Sequence, residues 1–114
     1  MLDRMDAPAL WQKLKKNQEN MVVVIVQDEA GQVLMQAFQN REAFLKSLET
    51  ELMHYYSRSR ACLWLKGESS GHYQHIKAIS VDCDADCLLY TVEQDCAACH
   101  TGAYSCFYRS ISEL

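Results

Sequence analysis

The sequence predicts an α+β fold: a mainly antiparallel β-sheet with two short helices, in a single domain over residues 1–114. Three observations carry this expectation. Segments rich in β-branched and aromatic residues recur from Val22 to Val92, punctuated by Asp28-Glu29-Ala30-Gly31, Gly67 and Gly71. Only two stretches, near Pro8 and after Asn40, combine helix caps with helical spacing. And 114 residues, 49% hydrophobic with one proline, suffice for one core but not two, while no repeat, low-complexity tract or linker divides them.

The first helix is expected from about Pro8 to Lys16. Asp6 stands near its cap, proline is tolerated in a first turn whose N–H groups lack partners anyway, and Leu10, Trp11 and Leu14 share a face. Val22 to Val26 is continuously apolar and β-branched, Asp28 to Gly31 reads as a turn, and Val33 to Phe38 returns, giving a hairpin. Asn40 can cap a second helix that carries Phe44, Leu45 and Leu48 inward and ends near Thr50. Four more strands are expected: Met53 to Arg58, Cys62 to Leu65, Tyr73 to Val81 and Cys87 to Val92. Such local patterns do not encode strand order.

A formal charge of −4 argues against a protein that grips a nucleic-acid backbone, which calls for a basic face. The longest apolar run, Met21 to Val26, falls far short of the roughly 20 residues that span a bilayer. The opening MLDRMDAPALWQKLKK lacks the uncharged core of a secretory leader. The expected setting is cytoplasmic, with neither nucleic acid nor membrane as partner. There the six cysteines read as free thiols or metal ligands rather than disulfides, and all but Cys62 lie in the last third.

The strongest constellation is Asp82-Cys83-Asp84-Ala85-Asp86 followed by Cys99-His100-Thr101-Gly102-Ala103-Tyr104-Ser105-Cys106. On an extended strand Asp82, Asp84 and Asp86 point one way and Cys83 the other, so one segment can serve two metal sites. Three carboxylates suit a hard cation such as Mg2+, whereas the thiolates of Cys83, Cys99 and Cys106 suit Zn2+. A zinc with three protein ligands keeps a fourth position for water, the arrangement of a catalytic site. Blander readings stand beside this. An acidic triplet in a turn is commonly just solvated. Cys62 and Cys87 read as small hydrophobes, and His54 and His75 as packed or surface residues. Cys96-x-x-Cys99 also resembles half of a structural zinc knuckle.

The middle of the chain offers anion-binding chemistry. Ser57-Arg58-Ser59-Arg60 alternates hydroxyls with guanidinium forks, and Lys66-Gly67-Glu68-Ser69-Ser70-Gly71 is a polar loop whose glycines admit close backbone approach. Either segment alone is equally an ordinary solvated hairpin.

Together these segments resemble the phosphoribosyl-AMP cyclohydrolase family. The resemblance rests on Tyr56-Ser57-Arg58-Ser59-Arg60, Leu63-Trp64-x-Lys66-Gly67-Glu68-x-Ser70-Gly71, Asp82-Cys83-Asp84-x-Asp86 and Ala98-Cys99-His100-x-Gly102-x-x-Ser105-Cys106-Phe107, in order and in register. It covers about residues 22–108; the first 20 residues match poorly. Cys96 stands where glycine or another non-ligand is usual, and Gln39 where methionine is common.

The resemblance implies Zn2+ on Cys83, Cys99 and Cys106, and Mg2+ on Asp82, Asp84 and Asp86. It also implies an intertwined homodimer in which the cysteine of the acidic motif and the pair flanking the histidine motif come from different subunits. The implied reaction, in histidine biosynthesis, is hydrolytic opening of the N1–C6 bond of 1-(5-phosphoribosyl)-AMP by zinc-activated water. His100 is the expected general base and His72 the second candidate, because imidazole titrates near operating pH. Arg58, Arg60, Lys66, Glu68 and Ser70 are the expected substrate-binding residues. Some relatives carry a fused second hydrolase domain; the sequence given ends at Leu114, so one reaction is expected. A catalytically inactive metal-handling paralog and a zinc-stabilised interaction module, closed by Cys96 as fourth ligand, are the alternatives.

Overall fold

A computed structural model describes residues 5–114; the first four residues of the expected domain lie outside the described residues. Helix α1 (Ala7–Lys13) starts at Asp6, whose carboxylate accepts the Ala9 N–H at 3.2 Å, with Pro8 in the first turn. It stops three residues short of the expected Lys16. The cause is competition for backbone groups: Lys15 N–H bonds to Ala85 O at 2.8 Å, and Lys16 Nζ folds back onto Trp11 O at 2.9 Å. Trp11 is buried and tilts against Phe44 with ring centroids 5.5 Å apart.

Strands β1 (Val22–Asp28) and β2 (Val33–Gln39) form the expected antiparallel hairpin, each slightly longer than its apolar run. Asp28 shapes the turn by accepting the N–H groups of Ala30 and Gln32. Helix α2 (Arg41–Thr50) is capped by Asn40, which accepts Ala43 N–H at 2.9 Å, and ends at Glu51 in the left-handed region, φ 62°. It buries Ala43, Phe44, Ser47 and Leu48, with Leu45 partly buried. Strands β3 (His54–Ser57) and β4 (Cys62–Leu65) make a separate two-stranded hairpin. Strands β5 (Gln74–Val81) and β6 (Cys87–Gln94) are antiparallel neighbours.

The main sheet has the order β2-β1-β6-β5. Its two central strands, β1 and β6, run parallel, from Val23 opposite Cys87 to Asp28 opposite Val92. The architecture is thus α+β and mainly antiparallel, with one parallel pair at its centre. Alternate residues of both central strands point into one core: Val22, Val24 and Val26 from β1, and Leu88, Tyr90 and Val92 from β6. Leu34, Met53 and Tyr55 complete it, each 0% exposed. Burying side chains of this size contributes about 1.5–3 kcal/mol apiece.

Buried polar groups are paired rather than avoided. Gln39 is 0% exposed; its amide donates to Ser47 Oγ at 3.0 Å and His54 O at 2.8 Å and accepts from the Tyr90 hydroxyl at 2.7 Å. Those three bonds account for glutamine where the resembled family commonly has methionine. A second chain runs from the Tyr55 hydroxyl to Gln74 and on to Gln94, 2.7 Å away. Gln94 then donates to the carbonyls of Cys96 and Tyr104 at 2.8 and 3.0 Å. No described helix is long and apolar enough to cross a membrane.

Candidate active site: two half-sites at opposite ends of a strand

The acidic motif is a tight turn joining β5 to β6, in the gap left between the two expected strands, so the alternation of an extended segment does not apply to it. Ala85 takes the left-handed conformation at φ 62°, and Ala85 N–H returns to Asp82 O at 3.1 Å. Asp82 Oδ1 accepts the N–H groups of Asp86 and Cys87 at 3.0 and 3.2 Å, which no straight strand allows. Chain reversal, rather than strand alternation, therefore gathers the carboxylates. Asp82, Asp84 and Asp86 are exposed, with ligand oxygens within 4.8 Å of one another. Hydrogen bonding to Asp82 and Asp84 pushes the Asp86 carboxyl up to about 6, with their negative charges adding to the effect. Clustered oxygens that resist sharing full negative charge fit a hard divalent cation. Cys83 lies exposed in the same turn.

The thiol motif lies beyond the other end of β6, in a loop fixed at many points. Lys66 Nζ donates to Ala98 O at 2.7 Å, and Tyr104 hydroxyl to Asp28 Oδ2 at 2.7 Å. Ser105 Oγ donates to Val33 O at 2.8 Å, and Cys106 N–H to Leu34 O at 2.7 Å. Within the loop, Cys99 to Gly102 forms a turn, with Gly102 N–H on Cys99 O at 3.0 Å and Gly102 at φ 94°.

Cys99 and Cys106 meet in this loop. The Cys99 thiol is held below its ordinary value, first by the Thr101 hydroxyl, which donates to its sulfur at 3.0 Å, and less strongly by Cys106 and Lys66. Burial pushes the Cys106 thiol up, and neighbouring Cys99 adds to the rise. Paired soft donors, one already biased toward thiolate, fit zinc. Two thiols do not complete the tetrahedral set, however. Cys83 is at the opposite end of β6, which over Cys87–Gln94 is about 23 Å long. Among the described residues only Asp82, Asp84 and Asp86 form a ligand cluster of three within one chain.

The expected substrate-binding residues divide in the same way. Arg58 and Arg60 are at the β3–β4 turn; Arg58 stacks over Phe38, 4.1 Å from the ring centroid, and pairs with Glu19 at 3.4 Å. Phe38 lies opposite Val23, which lies opposite Cys87, so this turn and the acidic turn share one end of the sheet. Lys66 at the other end of the hairpin joins the thiol loop. Glu68 and Ser70 are exposed in a loop that closes through Gly71 N–H to Gly67 O at 2.7 Å, and Ser70 Oγ accepts His72 N–H at 3.2 Å. His72 is exposed there, and His100 is exposed beside Cys99. Cys96 is exposed, its carbonyl bound by Gln94. Sequence reasoning had no signal for Tyr104, Gln74 and Gln94, which hold the thiol loop through contacts distant along the chain.

The sequence profile of the phosphoribosyl-AMP cyclohydrolase family matches residues 35–108, from β2 through the thiol loop. This chain belongs to the phosphoribosyl-AMP cyclohydrolase family. It is similar to the phosphoribosyl-AMP cyclohydrolase of Methanocella arvoryzae, with 60% identity over 94 residues, covering 82% of this chain and 79% of the relative. The counterpart in Streptococcus mutans is 57% identical over 97 residues, covering 84% and 89%. The histidine biosynthesis bifunctional protein HisIE of Thermoanaerobacter pseudethanolicus is 58% identical over 104 residues, 90% of this chain but 48% of that longer protein. Both half-sites and the polar loop between them lie inside the family match, and the chain is an enzyme of this family, a hydrolase.

Proposed function

We propose that the chain hydrolyses the N1–C6 bond of 1-(5-phosphoribosyl)-AMP in histidine biosynthesis, at a zinc site assembled from two copies of itself. Family membership supports the reaction. The observation that carries the site is the separation of Cys83 from the Cys99–Cys106 pair by the length of β6. A second copy related by two-fold symmetry can bring Cys83 of one subunit to the thiol pair of the other, twice per dimer. Exposed apolar side chains flank both halves: Val81 beside the acidic turn, and Phe107 and Tyr108 beside Cys106. Uncovered apolar surface at both halves is what a self-association face requires.

In this reading Cys99 and Cys106, with Cys83 of the other copy, hold Zn2+, and Asp82, Asp84 and Asp86 hold Mg2+. Zinc, when bound, supplies Lewis-acid activation of a water, bringing its pKa toward neutrality. Three thiolates are electron-rich ligands, which makes a protein base important. His100, next to Cys99, takes a proton from the attacking water and returns it to ring nitrogen N1 as the N1–C6 bond breaks, leaving a carboxamide and a formamidine. His72 is the second candidate for this transfer. Arg58, Arg60 and Lys66 orient the two phosphates, Lys66 retaining donors beyond the one spent on Ala98. Glu68 and Ser70 order the loop around them. Fixing the remote phosphates aligns the ring with the water, so binding contributes to rate.

The test is direct. Purified protein incubated with phosphoribosyl-AMP should open the ring, followed by ultraviolet absorbance, should lose the activity on zinc chelation and should regain it with added zinc. A protein that retains zinc yet leaves the substrate intact would contradict the assignment and favour the inactive paralog.

A further inference from the structure

Thr101 is neither a proposed metal ligand nor a proposed base or substrate-binding residue, yet its Oγ1 donates to Cys99 Sγ at 3.0 Å. The residue is exposed, so core packing does not account for the bond. The turn around it is closed by Gly102 N–H to Cys99 O at 3.0 Å and Cys99 N–H to Ala103 O at 3.2 Å, which fixes the hydroxyl relative to the sulfur. Lys66, anchored on Ala98 O at 2.7 Å, adds a positive charge to the same loop. The setting matters because thiolates donate charge strongly and blunt a bound metal as an electrophile. Hydrogen bonds to ligand atoms from beyond the metal's own ligands orient them and tune the metal.

We propose that Thr101 is a positioning residue: its hydroxyl holds Cys99 Sγ in one orientation and withdraws electron density from it, so that a metal on that sulfur stays electrophilic. This rests on the zinc reading of Cys99 and Cys106. Serine keeps the hydroxyl and loses the methyl group; valine keeps the shape and loses the hydroxyl.

The experiment compares wild type, Thr101→Val and Thr101→Ser as full chains, with Co2+ as a visible substitute for zinc and circular dichroism to verify folding. Wild type should show a thiolate-to-cobalt charge-transfer band. In Thr101→Val the band should move to longer wavelength, because a sulfur without its hydrogen bond gives up an electron more easily. Zinc affinity, measured by chelator competition, should weaken by about 10- to 100-fold in that variant. Thr101→Ser should match wild type on both readouts. A valine variant with the wild-type band or wild-type affinity would overturn the proposal. So would a serine variant that behaves like valine, since the effect would then follow the methyl group. Absence of a charge-transfer band in wild type would instead remove the zinc reading itself.

Discussion

His100 is exposed next to Cys99, while His72 is in the loop closed by Gly67 and Gly71. A base acts on the proton rather than on the metal, so His100→Ala should keep its zinc, measured by elemental analysis. Its turnover should fall about 10²- to 10⁴-fold in the ring-opening assay. Near-normal turnover would move proton transfer to His72. At this scale the caps Asp6 and Asn40 were legible, because a cap needs only a short polar side chain before a helical pattern. The clustering of cysteine and aspartate was legible too, since ligand chemistry depends on residue type. Thr101 was not: its role depends on a 3.0 Å distance set by backbone folding inside the turn. Nor does the sequence distinguish Gly67 from Gly71. At Gly67 a Cβ would lie 2.5 Å from His72 O, whereas at Gly71 it would meet nothing within 4 Å.

Among the elements, the thiol loop is anchored through two aspartates, Asp28 and Asp95. Asp28 is held below its ordinary carboxylate value, first by the Tyr104 hydroxyl and then by the turn it shapes. Asp95, at the loop's start, is held low chiefly by Tyr73 N–H and also by His75. A carboxylate with a depressed folded value stabilises the fold fully above its unfolded value of 3.8, and that contribution disappears as pH falls through the folded value. The thermal midpoint of wild type, followed from about pH 6 to about pH 3, should therefore drop on the acid side, and less steeply in Asp28→Asn. Identical slopes would remove Asp28 from the acid-sensitive anchors. The strands, the hairpin and both helices could be read locally, from apolar runs and caps. The acidic segment fell between two expected strands, but the form of its turn was not legible, because the left-handed Ala85 that reverses the chain has no sequence signature of its own. The parallel pairing of β1 with β6 was equally hidden, since it joins strands separated by most of the fold and no local pattern encodes it.

At the scale of the whole molecule, the sheet keeps the two halves of the proposed metal chemistry apart. β6 carries the acidic turn with Cys83 at one end and the loop with Cys99 and Cys106 at the other, so one chain alone does not assemble three thiols. The sequence offered candidate residues for the site. It could not show this separation, which follows from the length and direction of one strand; the expectation of a shared site came from family resemblance. Subunit mixing tests the arrangement most directly. Cys83→Ser and Cys106→Ser chains, each inactive alone, are unfolded and refolded together, with mixed dimers verified by mass spectrometry. In a mixed dimer with shared sites, one site carries both defects and the other neither, so random pairing should restore about a quarter of wild-type zinc and ring-opening activity. If all three cysteines served a zinc within one chain, every site would keep a defect, and a mixture that stays without activity would contradict the shared site.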